Sequence, residues 1–363
     1  MRLRMLYPVK SLVPAVLLFL ASDAASFGFI DSYRGGSPES GAGAYSAALA
    51  GRNSTHTGDA FAIFLNPAGL SSLDETHLAV AAGALGWKET HARELGREYR
   101  TGSITGMRCF SASTPLGSRF VIGAGISAVA DADYNGTRLL YDELSGITTG
   151  QEILEASGTQ WDAVAGASYE PAEGFSIGVS GGYRTGVITL DYYRYDNDLA
   201  GVDSVYYGEN DIGEPAVRVG AMQRTELSTL GVSYSAGGEC LAPVLSCGFS
   251  ILAPHLQNTR VGFEADLMSP LGRNDYGGRL SIEYPLLMRT MVMLGVSFSN
   301  YSSESGSGMG FSVGGNQGLG KLDLTVAMHW QTKRVFGRYI PGEDSDWVDD
   351  STTELMMGLS IRP

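Results

Sequence analysis

The sequence predicts an all-β fold, a closed antiparallel transmembrane β-barrel of about 12–14 strands with an N-terminal plug segment. Three observations predict it. Apolar residues alternate with small or polar ones along most of the chain, many alternating segments run to about 10–13 residues, and short turns alternate with long acidic loops. Successive side chains of a strand point to opposite faces, and about 9–11 tilted residues cross a bilayer. Each segment therefore has the length and the single apolar face of a membrane-spanning strand.

The N-terminus has the three zones of a secretory signal peptide, which we assign to residues 1–26. Three basic residues precede an apolar zone over 11–21, and small residues follow it. The apolar zone is about half as long as the roughly 20 residues of a membrane-spanning helix. Cleavage is therefore expected, after Ala24 or Ser26, and an uncleaved anchor is the alternative.

The composition excludes nucleic acid as a partner and a disulfide framework as a source of stability. The formal net charge is −14, and it becomes −16 without the leader, which carries three basic residues and one acidic residue. Such a chain is repelled by phosphate backbones. The three cysteines leave at least one thiol unpaired, and Cys240 and Cys247 lie too far apart in an extended chain to bridge. No stretch approaches 18 consecutive apolar residues, which excludes helical spans.

Residues 27–75 do not alternate and are rich in Gly, Ala and Ser, which predicts a plug folded inside the lumen. Towards its end, Pro67 fixes one backbone dihedral and biases Asn66 towards an extended conformation. Gly69 permits a tight reversal before the first strand. An ordinary turn that leads into the barrel is the alternative.

The barrel itself is assigned to residues 76–363. Its alternation is clearest over 321–331, where five apolar residues alternate with mostly polar ones. Long acidic connections are expected over 131–157, 191–215 and 334–350. Twelve strands are predicted, near 76–86, 102–113, 119–130, 158–169, 175–190, 216–235, 244–254, 276–286, 290–300, 307–316, 321–333 and 351–361.

Aromatic residues at the strand ends predict the two girdles of a membrane barrel. Those beside the long loops or the short turns are Trp87, Trp161 and Trp330, and Phe120, Tyr169, Phe175 and Tyr284, respectively. The alternative is a secreted soluble β-sandwich or propeller, whose apolar strand faces would meet in a shared core. Strand length, the regular short and long loops and the aromatic positions favour the barrel.

A short motif at the end of the plug indicates a family. Asp-Ala at 59–60 followed by Asn-Pro-Ala-Gly-Leu at 66–70 resembles the N-terminal signature of the long-chain fatty-acid transporter (FadL-like) superfamily, which includes PorV/PorQ-type proteins. The resemblance implies a 14-stranded barrel with an N-terminal plug in the bacterial outer membrane. It also implies that Asn66, Pro67 and Ala68 are plug residues that contact the inner wall.

Other segments extend or limit this resemblance. The tract 169–178 is similar to the periplasmic hairpins of the same family. Residues 47–51 replace the glycine-rich run that family members usually carry upstream, which leaves the subgroup open. The chain ends in Ile361-Arg362-Pro363 instead of the aromatic residue common to barrel assembly signals.

The resemblance implies a transporter or channel for hydrophobic small molecules, with outer-membrane lipid and an apolar ligand as its partners. Such a channel would have a pocket between plug and wall that apolar residues line, a lateral opening and at least one strand broken by a kink. Segment 102–113 alternates poorly, with Ile104 and Met107 out of phase, and is the candidate break. The alternative is a PorV/PorQ-like component of type IX protein secretion or cell-surface anchoring, with secretion proteins as partners. The third hypothesis is a general polar porin, which is less favoured because a plug would obstruct flow through its pore.

One acidic loop has the spacing of a calcium site. Asp131, Asp133, Asn135 and Asp142 supply oxygens at positions 1, 3, 5 and 12 of a loop with glycine at position 6. The alternative is a solvated acidic surface loop. Calcium is the one cofactor that the sequence suggests, and it would stiffen the loop.

No motif supports an enzyme. The Gly-x-Ser-x-Gly pattern at 178–182 lies inside an alternating strand, whereas a nucleophile elbow needs a turn from strand to helix. No two histidines have metal-ligand spacing: they are His56, His77, His91, His255 and His329.

Overall fold

The structure is a computed structural model of the chain. It describes residues 37–38, 42–93, 96–131, 134–141, 148–196, 201–237, 243–268, 275–301, 306–336 and 347–363. The predicted leader, 1–26, and the predicted calcium ligands Asp133 and Asp142 lie outside these residues. Within them, no helix combines the length and the apolar character needed to cross a membrane.

The described residues form seventeen strands and a few short helices. The strands are β1 (Ser37–Pro38), β2 (His77–Arg93), β3 (Gly96–Pro115), β4 (Phe120–Asp131), β5 (Tyr134–Tyr141), β6 (Thr148–Ser157), β7 (Thr159–Ala172), β8 (Phe175–Asp196), β9 (Gly201–Arg224), β10 (Ser228–Ser235), β11 (Val244–Ala253), β12 (Thr259–Met268), β13 (Asp275–Leu287), β14 (Thr290–Tyr301), β15 (Gly306–Gly318), β16 (Leu322–Phe336) and β17 (Trp347–Ile361). The helices are α1 (Ala44–Ala48), α2 (Ala62–Leu65) and the 3₁₀ helices Pro67–Ser72 and Pro254–Leu256.

Fourteen of these strands close an antiparallel barrel in the described part of the chain. The ring runs through β2, β3 and β4, continues with β7 to β17 in chain order, and closes where β17 pairs with β2. In the closed ring every strand has a paired neighbour on both sides over at least part of its length, so no edge strand remains. The predicted closed barrel of 12–14 strands is therefore confirmed. We call the end that carries the short turns, such as 116–119 and 173–174, the lower rim.

Two further strands extend the wall above the ring. β5 pairs with β6, and β6 pairs with the upper end of β8, so that β5 and β6 continue β4 and β7 upwards. Strands also occupy most of 191–215. The prediction of long loops over 131–157 and 191–215 is therefore wrong. Strand alternation there is weak, because a sheet that rises beyond the bilayer no longer needs one apolar face.

Two of the fourteen wall strands were missing from the twelve predicted ones. The segment 216–235 is two strands, because β9 ends at Arg224 and β10 begins at Ser228, with a turn that contains neither glycine nor proline. β12 was missed because its inward face carries Glu264 and Asp266, which broke the expected apolar pattern.

The outer face of the barrel is apolar. A row of directly paired residues runs across seven neighbouring strands, and each member is between 41% and 54% exposed. The row is Leu230, Phe249, Phe263, Leu280, Val296, Phe311 and Trp330. The next residue after Phe263 is the fully buried Glu264, so the charge lies inside and the apolar side chain outside. This arrangement is the reverse of a soluble sandwich and is that of a membrane-spanning barrel.

The predicted girdles are confirmed in part. Phe120, Tyr169 and Phe175 are exposed beside the lower rim, and Phe120 pairs directly with Tyr169. Trp87 is 4% exposed, and the alternation of β2 places it on the same buried face as Glu89. The assignment of Trp87 to the aromatic girdle beside the long loops is therefore wrong.

Candidate functional site

The turn at Asn66 attaches the N-terminal segment to the inner wall. Asn66 has an extended backbone, with φ −135° and ψ 102°, and its Oδ1 accepts a hydrogen bond from the Ala68 amide at 3.1 Å. Its Nδ2 donates to the Ser54 carbonyl at 2.6 Å and to the Val232 carbonyl of β10 at 3.3 Å. The side chain is fully buried. It therefore ties two plug segments and one wall strand together.

Pro67 and Ala68 lie against β7 and β8. The Ala68 carbonyl accepts hydrogen bonds from Ser168 Oγ at 3.2 Å and Ser176 Oγ at 3.0 Å. A Cβ at Gly178 would lie 2.3 Å from the Ala68 nitrogen and the Pro67 carbonyl carbon. The wall thus carries small residues where the plug backbone approaches it. Asn66, Pro67 and Ala68 all contact the wall, and their part in a channel stays a prediction.

Gly69 serves close packing and not the reversal that the sequence suggested. Its φ is not positive, whereas a Cβ would lie 2.2 Å from the His56 carbonyl oxygen. The neighbouring loop is held by His56, whose Nε2 lies 2.8 Å from Asp59 Oδ1. The residues of the motif at 59–60 and 66–70 therefore pack closely around the contact between Gly69 and His56.

Substitution of Gly178 tests this contact between plug and wall. We expect Gly178→Ala to lower the free energy of unfolding by about 1–3 kcal/mol, because the methyl group meets backbone atoms that cannot rotate away. Equilibrium unfolding by guanidinium in lipid vesicles measures the loss.

Gly181→Ala on the same strand is the matched control. The nearest atom to a Cβ there is 3.9 Å away, so its stability should stay within about 0.5 kcal/mol of the unchanged protein. Equal effects of the two substitutions would show that Gly178 does not touch the plug.

A second attachment uses buried charges. Arg52 Nη2 of the plug donates to Glu283 Oε1 of β13 at 2.5 Å, and the two side chains are 4% and 5% exposed. Tyr45 Oη donates to the other oxygen of Glu283 at 2.5 Å. Removal from water raises the pKa of the Tyr45 phenol, and the Glu283 carboxylate raises it further, so the hydroxyl keeps its proton.

Glu264 of β12 holds the adjacent loop of the plug. Its carboxylate accepts the backbone amides of Asn53 at 3.0 Å and Ser54 at 2.6 Å, and it also pairs with Arg279 of β13 at 2.8 Å. The residue is fully buried. The strand that the sequence pattern missed therefore supplies a principal anchor of the plug.

The space between plug and wall is filled by an apolar core. Ile63, Leu65 and Leu70 of the plug pack with wall residues such as Val164 of β7 and Met356 of β17. Ser312 Oγ of β15 also donates to the carbonyl of Ala48 at the end of α1, at 2.8 Å. Apolar residues are present between plug and wall, where they pack against one another, and the ligand pocket expected there stays a prediction.

Higher in the lumen the wall is charged. Asp162 of β7 accepts hydrogen bonds from Arg184 of β8 at 2.8 Å and from Arg218 of β9 at 2.6 Å. Arg184 also pairs with Glu214 at 2.9 Å. These groups lie beyond the plug contacts of β7 and β8 as seen from the lower rim. A straight route through the barrel therefore passes charged residues and then a packed plug.

The wall has a gap between β3 and β4. Their ladder runs from Pro115–Val121 to Cys109–Ser127, and in the described residues no pair joins them above that point. The pairing of β3 with β2 shifts register there, because Cys109 and Met107 oppose consecutive residues of β2 and Arg108 is left over as a bulge. A break was predicted inside 102–113 from the poor alternation; the structure has a bulge there, while β3 itself continues from Gly96 to Pro115.

Two features line this gap. Met107 of β3 is 54% exposed just above the last pair of the ladder, and Ile126 of β4, which pairs with Phe110, is 47% exposed just below it, so the outer face at the lower end of the gap is apolar. Inside, Arg108 Nη1 donates to Asp131 Oδ2 at the top of β4, at 3.2 Å. The gap is therefore apolar towards the outside and ion-paired towards the lumen.

The short strand β1 covers the free edge of β4. Ser37 pairs with Asp131 and Pro38 with Ala130, while β7 occupies the opposite edge of the same two residues. β1 therefore lies in the place that β3 leaves open. Proline suits such a position, since an edge strand loses little from one missing amide.

Two of the predicted calcium ligands, Asp131 and Asn135, lie in strands and not in a loop. Asp131 is 1% exposed and pairs with Arg108, and Asn135 lies in β5 opposite Glu155. The two other ligands lie outside the described residues. Calcium binding by this segment stays a prediction.

Sequence reasoning missed the wall side of the site. Glu264, Glu283 and the Arg184–Asp162 pair were not singled out, because isolated charges within alternating strands look like solvent-facing positions. The signal was that they alternate with strongly apolar residues, as Phe263 and Ile282 do with the two glutamates.

Neither the protein-family models nor the curated protein sequences compared with this chain match it. Solved structures do. A FadL homologue of Pseudomonas aeruginosa is 11% identical, with a TM-score of 0.66 over 90% of this chain and 99% of that one. The toluene transporter TbuX of Ralstonia pickettii is 14% identical, with a TM-score of 0.64 over 89% and 98%. The toluene transporter TodX of Pseudomonas putida is 14% identical, with a TM-score of 0.63 over 89% and 98%.

These structures are channels and transporters, and at this level of identity they establish the fold. They agree with the closed ring of fourteen strands found in the described residues. The chain therefore has the FadL-like barrel fold, as the motif at 59–70 indicated.

Proposed function

We propose that this chain is a channel of the bacterial outer membrane for hydrophobic small molecules, which leave the lumen sideways between β3 and β4. The observation that carries the proposal is the gap itself, at a bulge in β3. Met107 and Ile126 make the outer face apolar at the lower end of the gap and continue the apolar outer face of the barrel. β1 covers the edge of β4 at this place, so a molecule passes when β1 moves away, and it then reaches hydrocarbon without crossing the plug.

The charges of the lumen support a lateral route over an axial one. Burial of an apolar molecule is favourable where it leaves water for an apolar surrounding, and charged groups offer no such gain. The wall above the plug contacts carries Asp162, Arg184 and Arg218, whereas the outward side chains at the gap are apolar. An apolar solute therefore gains most by leaving through the wall. The chain does no covalent chemistry in this proposal.

The solved structures suggest which compounds to test first. TbuX and TodX are described as toluene transporters, and CymD as a monoaromatic hydrocarbon channel. Monoaromatic hydrocarbons are therefore the first candidate substrates. The alternative role in type IX secretion or surface anchoring gains no support from these relatives.

Uptake by intact cells tests the proposal. Bacteria that lack such a channel and carry a lipopolysaccharide layer are compared with and without the full chain in their outer membrane. We expect expression to raise the initial rate of radiolabelled toluene uptake, while uptake of a sugar of similar size stays unchanged. Equal toluene rates with and without the chain would contradict the proposal, and faster sugar uptake would indicate a polar porin instead.

A further inference from the structure

The junction where the plug runs into the first wall strand carries three metal-ligating side chains. Asp74, Glu75 and His77 each bring a carboxylate oxygen or a ring nitrogen to within 4.8 Å of the other two. They lie at the lower rim, where Asp74 and Glu75 end the plug segment and His77 is the first residue of β2. The set combines one imidazole with two carboxylates.

His77 supplies an independent observation. The residue is 5% exposed, and its Nδ1 is buried without a hydrogen-bond partner among the described residues. A buried polar atom without a partner costs about 1–3 kcal/mol. The ring brings one of its nitrogens to within 4.8 Å of a carboxylate oxygen of Asp74 and of Glu75, which are both exposed to water. An ion bound beside these carboxylates would give the imidazole a partner at its buried position.

The backbone that carries the three residues is fixed on both sides. The amide of Leu73, which is 4% exposed, donates to the Leu70 carbonyl at 3.0 Å. The hydroxyl of Thr76 lies 2.9 Å from that of Thr114 on β3. The ligands therefore sit on a positioned segment, and only the exposed carboxylates need to rotate to close around an ion.

We propose that Asp74, Glu75 and His77 bind one divalent transition-metal ion at the junction of plug and wall. Imidazole favours zinc and its neighbours in the first row, whereas magnesium and calcium prefer oxygen ligands alone. Zinc binds nitrogen and carboxylate oxygen at about 2.0–2.2 Å in a tetrahedral arrangement, so two ligand atoms of one ion lie about 3.4 Å apart. The observed spacing is within reach of that value, and water would complete the coordination.

One nearby cation opposes binding and provides a test. Arg362 Nε lies 3.8 Å from Glu75 Oε1, and the same guanidinium donates to Asp323 at 3.0 Å and to the Gly320 carbonyl at 3.1 Å. Its charge repels an incoming ion. Arg362→Gln should therefore tighten metal binding, whereas a merely structural role of the acidic residues predicts no such gain.

The experiment uses the full chain, purified in detergent without a polyhistidine tag and treated with a chelator. Zinc is titrated by isothermal calorimetry, and thermal unfolding is followed with and without zinc. We expect one zinc ion per chain and a raised unfolding temperature. Loss of an outer-shell partner weakens a metal site about 10–100-fold, so loss of a ligand in His77→Gln or Asp74→Asn should raise the Kd at least about tenfold.

Glu173→Gln is the matched control, because Glu173 is an exposed acid in another turn of the lower rim. It should bind zinc like the unchanged protein. Asp74 is exposed and outside the strands, so Asp74→Asn keeps the test informative if His77→Gln fails to fold. No zinc binding to the unchanged protein, equal binding by all variants, or equal affinity for calcium would each overturn the proposal.

Discussion

A disulfide that ties β1 to β4 is expected to abolish uptake of apolar compounds. Pro38 and Ala130 are directly opposed in an antiparallel pair, where Cα atoms are about 4.5–5.5 Å apart, a distance that a disulfide spans. Pro38→Cys with Ala130→Cys therefore locks the strand that covers the gap. Toluene uptake should fall to the rate of cells without the protein and return when a reductant is added.

The control for this lock places the same bond elsewhere in the wall. Val296 and Phe311 are opposed on β14 and β15, away from the gap, and Val296→Cys with Phe311→Cys should leave uptake unchanged. Both pairs are made in a chain without its own three cysteines, of which Cys109 is buried and Cys247 exposed. Unchanged uptake after the β1–β4 bond has formed would show that molecules do not pass there.

Removal of one partner of the buried ion pair between plug and wall is expected to make the barrel leak ions. Glu283→Met leaves Arg52 buried without its carboxylate, and loss of one partner of a buried pair costs about 3–5 kcal/mol. A displacement of the plug that exposes Arg52 to water recovers part of this free energy, because water then solvates the unpaired charge. Conductance across a planar bilayer should therefore rise above that of the unchanged protein.

The double substitution distinguishes loss of the charge balance from loss of shape. Arg52→Met with Glu283→Met removes both charges and keeps side chains of similar volume, which is often neutral for stability. Its conductance should return towards that of the unchanged protein. A single substitution without any added conductance would mean that this pair does not hold the plug.

Sequence reasoning predicts the barrel because the bilayer imposes a period of two on each strand that crosses it. Phe311 and Trp330 belong to that pattern, and both are exposed on the outer face. The pattern fails where that constraint ends. β5 and β6 rise above the ring, and the chain reverses direction at Thr225–Leu227 without a glycine or a proline. β12 was missed because a lumen accepts charges such as Glu264 that a soluble core would exclude.

The candidate site is predictable to a smaller extent. The poor alternation of 102–113 located the bulge in β3, because a bulge shifts the faces of the residues beyond it. The motif at 66–70 located the turn of the plug. The partners of both could not be predicted, since Arg108 with Asp131 and Arg52 with Glu283 meet only through the closure of the barrel. Asp74, Glu75 and His77 are close in sequence, but they were not singled out because His77 has no second histidine near it in sequence.

The path of an apolar ligand is measured most directly by locating one in the protein. Crystals grown in detergent are soaked with bromobenzene, and the anomalous signal of bromine marks each bound molecule. We expect a site between β3 and β4, beside Met107 and Ile126. Bromine found along the barrel axis between plug and wall down to the lower rim, with none in the gap, would contradict lateral exit.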